Sequence, residues 1–470
     1  MADTPTGPGH TVDTEINKAS DNPVLSGPHW PVFFRYALPS VAGLLALTTA
    51  NIVDGIFIGN FAGADALAAL NLLIPWFTLL FGLGLALAIG GTVRAGKYLG
   101  EQRPDLASAV FSKCVITILA IALTGAMTGL LFHESLYRML GAAPALFPLM
   151  SEYFLVIIWV LVLQLVTMVV YYFVRVDGFP VLATTALVVG AAANIVLDAL
   201  FVGLWGLGLR GAALATGVAQ VLQLSVLLVY AFKPARQLRF RWRQSQWREV
   251  LQAFTNGVSE CINEWSVGLI MLLINWLLMT SRGIDGVAAF TVVNYLIFLS
   301  LMVFYGISDA MHVLISQNLG AGNPDRIQRF MGCGALVIAG LGLCLALAVG
   351  LQGSQLVRLF LDASDVTTAA LADRFLGILW PLFLINGINV LLSVYLTAMH
   401  KPLPSAVVAF SRSLVLPALL LVTIAHFAPH WPLLVALPLA EWLTFVIALA
   451  LFLRYRPGRE LRSQSPSLQM

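Results

Sequence analysis

The sequence predicts an all-α polytopic membrane protein with twelve transmembrane helices in two pseudo-symmetric six-helix lobes. Three observations support this fold class: an apolar composition, a series of long apolar runs and an internal repeat. The chain has 470 residues, of which 59% are hydrophobic and 10% charged, and its mean hydropathy is +0.88. A soluble protein of this length could not bury so much apolar surface in one core. The composition therefore excludes the soluble protein classes.

The individual helices are predicted from the apolar runs. A run of about 20 apolar residues is long enough to cross a bilayer as a helix. Twelve such runs occur between short polar breaks, beginning near Pro31, Leu67, Ala107, Leu146, Val181, Gly211, Val250, Val287, Ile327, Thr367, Leu403 and Leu433. Six of them fall in each half of the chain.

The two halves are related by a repeat of 220 residues. At this offset seven residues match without a gap, pairing Gly63, Ala68, Ala69, Leu99, Gly100, Pro104 and Asp105 with Gly283, Ala288, Ala289, Leu319, Gly320, Pro324 and Asp325. Such a duplication in an apolar chain is typical of two-lobed membrane transporters, whose pathway lies between the lobes.

The repeat and the polar breaks divide the chain into five parts. We predict a polar N-terminal tail (1–29), a first lobe (30–232), a basic linker (233–248), a second lobe (249–455) and a C-terminal tail (456–470). Lys and Arg concentrate in the tails, the linker and the loops on one side of the membrane. By the positive-inside rule, that side is cytoplasmic and holds both termini. We expect the linker arginines to contact the lipid bilayer and no nucleic acid.

The cysteines predict neither a disulfide framework nor a metal site. Cys114, Cys261, Cys333 and Cys344 all lie in or beside apolar runs, and no two have CxxC spacing. We therefore expect no cofactor.

A first group of polar residues predicts a cation site in the first lobe. Counted from the outer helix ends at 1.5 Å per residue, Asp54, Asp198 and Thr216 all lie roughly 10 Å below the outer surface. Asn194 precedes Asp198 by one turn and shares its helix face. Such a set could bind a dehydrated Na⁺ or share a proton. The alternative is simple pairing between neighbouring helices, but the second lobe has Ile274 where the first has Asp54.

A second group of ionisable residues lies in the second lobe. Glu260 and Glu264 are one turn apart on the seventh run, and Asp309 and His312 are one turn apart on the eighth. Charges within the hydrocarbon are costly, so we predict that these residues contact the substrate. His312 is a candidate proton carrier, although histidines of this kind more often serve packing.

One further pair of opposite charges is predicted in the second lobe. Arg412 and Glu441 lie on the eleventh and twelfth runs. An intramembrane charge needs a partner, so a buried structural ion pair is one interpretation of these two residues.

Four segments together carry a resemblance to a known family. They read FVRVDGFP from Phe173, NIVLDALFVGLWGLGLRGAALAT from Asn194, ISQNLGAGNPDR from Ile315 and PLAEWLTF from Pro438. In this order and on these helices, they resemble the multidrug and toxic compound extrusion (MATE) family, most closely its bacterial branch. The likeness runs over nearly all of residues 30–455.

The resemblance implies drug export driven by entry of H⁺ or Na⁺, with two lobes that rock between outward-open and inward-open states. It assigns the cation site to Asp54, Asn194, Asp198 and Thr216, and a bend of the first helix to Pro39. A proline within a span permits such a bend.

The resemblance also bears on the second lobe. Glu260 looks like the acidic position of the seventh helix in part of the family. The chain departs from the family at Asp309 and Val313, where Gln and Pro are common, so the second-lobe pocket is expected to differ in selectivity.

The sequence thus predicts a cation-coupled antiporter that exports amphipathic cationic molecules and acts as a monomer in the bacterial inner membrane. The main alternative is a flippase for a lipid or lipid-linked precursor with the same superfold. A cationic cavity would favour the flippase, whereas the intramembrane charge here is mostly acidic. An enzyme acting on lipids would need paired acids in interfacial loops, and the loops have no DxD or DDxxD cluster. A receptor without transport would leave the duplicated lobes unexplained.

Overall fold

The computed structural model describes residues 22–241, 247–358 and 366–463. The described chain is helical throughout, apart from short connections, and contains no strand. Most of the predicted N-terminal tail, part of the predicted linker and the end of the C-terminal tail lie outside the described residues.

Twelve helices in the described chain are long and apolar enough to cross a membrane, because one of the eleven continuous candidates is broken in the middle. They are α1 (His29–Phe57), α2 (Ala64–Gly100), α3 (Pro104–Leu131), α4 (Phe147–Val176), α5 (Pro180–Asp198), α6 (Gly208–Leu228), α7 (247–282), α8 (284–320), α9 (Pro324–Arg358), α10 (Val366–Ala398), α11 (Pro402–Phe427) and α12 (Ala436–Arg454). The first lobe consists of α1 to α6 and the second of α7 to α12. The predicted fold class is confirmed.

Equivalent residues of the repeat form equivalent structures. Gly283 has a φ of 69° and separates α7 from α8, and its repeat partner Gly63 has a φ of 92° and separates α1 from α2. Both glycines adopt a left-handed backbone that other residues rarely adopt. Proline likewise begins both α3 and α9, where its fixed φ suits the first helical turn.

The two lobes are joined at one side of the membrane and separate at the other. One cluster of buried apolar side chains contains only first-lobe residues, such as Tyr137, and a second contains only second-lobe residues, such as Phe290. A third cluster combines both lobes and includes Leu99 and Leu319. This shared core lies at the side where the described chain begins and ends, which we call the terminal side. On the opposite side, which we call the open side, each lobe packs around a cluster of its own.

The lobes approach each other closely where α2 crosses α8 on the terminal side. A Cβ atom on Gly100 would lie 2.0 Å from the carbonyl oxygen of Gln317, and one on Gly320 would lie 1.9 Å from that of Lys97. Lys97 and Gln317 are themselves repeat partners, so the contact is symmetric. Only glycine allows the two backbones to come this close.

Parts of the predicted tail and linker pack against the lobes. Arg326 of α9 donates hydrogen bonds to the carbonyl oxygens of Val24 (2.8 Å) and Gly27 (2.9 Å). The linker runs along α3, and the backbone NH of Arg239 donates to Ser108 Oγ at 3.0 Å. The described ends of both segments are therefore attached to the bundle.

Pro39 lies within α1, and the helix continues through it. The next residue, Ser40, donates its hydroxyl to the carbonyl oxygen of Tyr36 at 2.8 Å. Pro39 as a point of bending stays a prediction.

Candidate functional site

A polar cavity of about 240 Å³ lies inside the first lobe. Helices α1, α2, α4, α5 and α6 form its walls, and Glu264 of α7 completes them from the second lobe. Phe77, Phe81 and Tyr153 contribute aromatic surface. Small-molecule sites usually combine apolar walls with a few polar groups in this way.

Three of the four residues predicted for the cation site line this cavity: Asp54 of α1, Asn194 of α5 and Thr216 of α6. The Asn194 side-chain amide donates to Thr216 Oγ1 at 3.4 Å, and the Thr216 hydroxyl donates to the carbonyl oxygen of Ala212 at 3.1 Å. The structure therefore brings the three residues together. Their cation binding stays a prediction.

The fourth residue, Asp198, is not among the residues that line the cavity and is 0% exposed. Neither of its carboxylate oxygens has a hydrogen-bond partner in the part of the chain that the structure describes. Asp198 interacts electrostatically with Asp54, and Tyr153 lies near both. An unpaired buried carboxylate costs on the order of several kcal/mol. A proton or a cation at these oxygens would relieve that cost.

Both carboxylates lie beside irregular turns that follow their helices. A π-helical turn, Ile58–Ala62, begins four residues after Asp54, and another, Ala199–Leu204, begins directly after Asp198. Wide turns of this kind occur frequently at functional sites, because they alter the spacing of the backbone carbonyl groups.

Sequence reasoning missed three glutamines of the cavity: Gln164, Gln220 and Gln223. A signal for two of them was present. Gln220 and Gln223 follow Thr216 by four and seven residues, so all three occupy one face of α6. Both are nearly buried, at 8% and 6% exposure.

The structure separates the two glutamates predicted on α7. Glu264 lines the first-lobe cavity. Its neighbour Trp265 fixes this part of α7 against α2, since the indole Nε1 donates to the carbonyl oxygen of Leu79 at 3.3 Å. Glu260 does not line the cavity, and one of its carboxylate oxygens is buried without a hydrogen-bond partner among the described residues.

The structure gives Asp309 a partner that was not predicted. Arg175 of α4 forms an ion pair with Asp309 of α8, and His312 Nδ1 lies 3.3 Å from Asp309 Oδ1. The predicted role of Asp309 and His312 in substrate contact is untested.

The predicted pairing of Arg412 with Glu441 is confirmed. Arg412 Nε lies 3.3 Å from Glu441 Oε1. The side-chain amides of Asn386 and Asn389 also donate to the Glu441 carboxylate, at 3.0 and 2.6 Å. This glutamate has a full set of partners, in contrast to Asp198.

Within the described ranges, no group of three or more His, Cys, Asp or Glu side chains is placed to hold a metal ion. A cation at Asp54 and Asp198 would depend on two carboxylates together with amide and hydroxyl oxygens. Hard cations such as Na⁺ accept oxygen ligands of these types.

A family model described as MatE matches residues 39–200 and 260–423, which together make up well over half of the chain and include parts of both lobes. The chain belongs to the MatE family. Membership of this transporter family fits the two-lobed fold and the cavity.

Two other transport proteins resemble the chain over most of its length. Multidrug export protein MepA from Staphylococcus aureus (strain MW2) is 23% identical over 414 residues, covering 86% of this chain and 91% of its own length. An FAD transporter from Shewanella oneidensis is 24% identical over 434 residues, covering 89% of this chain and 93% of its own.

A solved structure of a multidrug resistance MATE family transporter of the MOP superfamily, in an outward-facing conformation, superposes with a TM-score of 0.85. It is 22% identical in sequence and is matched over 94% of this chain and 97% of its own. The fold of the chain is therefore the MATE fold.

Proposed function

We propose that the protein is a cation-coupled antiporter that exports amphipathic cationic compounds by alternating access, with H⁺ or Na⁺ as the coupling ion. The observation that carries the proposal is the buried carboxylate of Asp198, which has no hydrogen-bond partner among the described residues and interacts electrostatically with Asp54 in the cavity. The fold itself does not require this energetically costly buried carboxylate, since the second lobe has the same fold but no acid at the corresponding positions.

Coupling follows from the cost of burying charge. When Asp54 and Asp198 are both ionised in a low-dielectric lobe, each raises the energy of the other. A proton or a Na⁺ ion that enters from outside neutralises this charge and favours one conformation over the other. A ligand shifts such an equilibrium only by its difference in affinity for the two states.

The proposed drug site is the same cavity. Phe77, Phe81 and Tyr153 offer aromatic faces to an apolar body, and Asp54 and Glu264 offer carboxylates to a cationic group. An entering cation and a bound drug would then compete for Asp54. Such competition links entry of one to release of the other.

The proposed setting is the bacterial inner membrane, with both termini cytoplasmic and the protein acting as a monomer. The basic loops and linker support this orientation by the positive-inside rule. The terminal side is then cytoplasmic, so the open side faces outward. The similarity to MepA, a multidrug export protein, supports export rather than uptake.

A second candidate is export of a flavin nucleotide, because one relative is an FAD transporter. Like a lipid-linked precursor, which a flippase would carry, such a substrate is anionic. An anion would meet Asp54 and Glu264 in the cavity without an Arg or Lys among the residues that line it. The cavity therefore favours a cation over either substrate.

The test is efflux from proteoliposomes that contain the purified protein. A fluorescent cationic dye, a neutral dye of similar size and FAD are each loaded inside, and an inward Na⁺ gradient and an inward proton gradient are imposed separately. We expect cationic dye to leave faster under one of the two gradients. Gradient-independent release of the cationic dye, or gradient-driven export of FAD alone, would contradict the proposal.

A further inference from the structure

An ion pair crosses from one lobe to the other on the terminal side. Arg175 lies near the end of α4, in the first lobe, and Asp309 lies on α8, in the second. The side chain of Arg175 is 1% exposed and that of Asp309 is 11% exposed. The pair is therefore enclosed within the core that the two lobes share.

The surroundings hold the guanidinium of Arg175 in place. A second nitrogen, Nη2, donates to Ser40 Oγ of α1 at 2.6 Å. The guanidinium carbon also lies 5.3 Å from the ring centre of Tyr171 and 5.8 Å from that of Tyr172. A planar cation that is bonded at two ends and stacked against rings loses little further entropy in its ion pair.

Neighbouring contacts close the same interface. The side-chain amide of Gln317 on α8 donates to the carbonyl oxygen of Val176, the residue after Arg175, at 2.6 Å. The close crossing at Gly100 and Gly320 lies next to it. Opening of the terminal side would have to separate all of these groups at once.

Separation of a buried ion pair is costly unless water reaches both charges. Removal of one partner leaves the other charge buried and unpaired, and this strongly destabilises the arrangement in which the pair is buried. Arg175 has no other carboxylate among its ion-pair partners in the described residues. The closed arrangement of the lobes is the one in which both charges are satisfied.

We propose that Arg175 and Asp309, with Ser40 as the second anchor of the guanidinium, form an inter-lobe lock that holds the terminal side closed. The lock sets the resting balance between the two conformations, whatever compound is transported. Asp309 then acts as a positioning residue between the lobes.

The test measures the distance between the lobes without any substrate. Spin labels are placed at two exposed positions of the terminal side, Lys233 after α6 and Gln328 on α9, in a protein whose cysteines are replaced. Electron-electron distance measurements in nanodiscs then give the share of molecules with widely separated lobes. We expect Asp309→Asn and Arg175→Gln to raise that share about tenfold or more.

Three further variants make the result specific. Asp309→Glu keeps the charge and should stay close to the parent protein, and Ser40→Ala should widen the distance less than Asp309→Asn. Glu441→Gln breaks a buried ion pair within the second lobe and should leave the distance unchanged. An unchanged distance in Asp309→Asn, or equal widening in Glu441→Gln, would overturn the proposal.

The measurement is separate from the proposed export. If the parent protein failed to export any cationic dye while Asp309→Asn still widened the terminal side, only the proposed substrate would be wrong. Asp309→Asn nearly preserves the side-chain volume. An elution profile that matches the parent protein in size-exclusion chromatography therefore shows that the variant has folded.

Discussion

At the scale of single residues, the carboxylates of the described spans differ most in their partners. Glu441 accepts from two asparagines and pairs with Arg412, and Asp309 pairs with Arg175. Asp198 has no such partner among the described residues. Acids with full sets of partners are explained by the fold. Asp198, whose two carboxylate oxygens both lack a hydrogen-bond partner among the described residues, is therefore the best candidate for reversible cation binding.

Asp198→Asn should abolish gradient-driven export without loss of stability. The substitution removes the charge but keeps the shape, so a protein that no longer buries an unpaired carboxylate should unfold at the same or a higher temperature. Dye efflux from proteoliposomes and thermal unfolding in detergent are measured side by side. Asp65→Asn, at the start of α2 on the open side, is the matched control and should leave efflux intact. Normal coupled efflux by Asp198→Asn would refute the assignment.

Glu264→Gln should weaken cationic substrates selectively. Glu264 is the second-lobe residue of the cavity wall, and loss of its charge should raise the KM for a cationic dye by about tenfold, the equivalent of ~1.4 kcal/mol. The KM for a neutral dye should change little. Glu260→Gln provides the comparison, because Glu260 lies on the same helix outside the cavity wall. A larger effect of Glu260→Gln than of Glu264→Gln would instead indicate that Glu260 contacts the drug.

At the scale of elements, the linker is fastened to the first lobe by Asp177, between α4 and α5. One of its carboxylate oxygens accepts from the Tyr230 hydroxyl and from the backbone NH groups of Gln237 (2.8 Å) and Leu238 (3.3 Å). Burial nevertheless raises the pKa of Asp177 to about 6, because desolvation exceeds the stabilisation by these donors.

This pKa predicts how stability depends on pH. A carboxyl whose pKa is 3.8 when unfolded and about 6 when folded stabilises the folded state below the lower value, and this contribution is lost as the pH rises through the higher one. The Tm of the parent protein should therefore rise relative to that of Asp177→Asn when the pH falls from about 7 to 5. Parallel Tm curves for the two proteins across this range would disprove the assignment to Asp177.

The crossing of α2 and α8 should not tolerate a side chain. In Gly100→Ala the new Cβ would meet the backbone of Gln317 at 2.0 Å, so the helices would have to move apart. We expect a loss of about 1–3 kcal/mol in stability, as for other overpacked contacts. Gly340→Ala on α9 is the control, since its Cβ would meet nothing within 4 Å and alanine favours a helix. Equal unfolding temperatures for the two variants would contradict the close crossing.

At the scale of the whole molecule, the repeat and the apolar runs were sufficient to predict the fold. Gly63 and Gly283 are equivalent positions of the repeat, and the number of apolar runs gave the number of helices. Depth counting put Asp54 and Thr216 in one layer, because a straight helix converts residue number into height, and both residues line the same cavity.

The contacts between lobes could not be predicted in the same way. Arg175 and Asp309 are 134 residues apart, and only the docking of the two lobes brings them together. Nor could a single helix pattern show that Glu264 reaches the cavity of the other lobe while Glu260 does not. Such contacts depend on the relative rotation of two bundles, which local sequence periodicity does not determine.

The separate cores on the open side have a consequence for the design of inhibitors. Since each lobe there is stabilised by its own apolar cluster, neither depends on the other for its shape, and the gap between them can change without unfolding either. A rigid antibody fragment that binds an epitope composed of surfaces from both lobes would fix that gap. Under the proposed alternating-access mechanism, the fragment would stop export without competing with the drug, and its affinity would report which conformation the protein occupies.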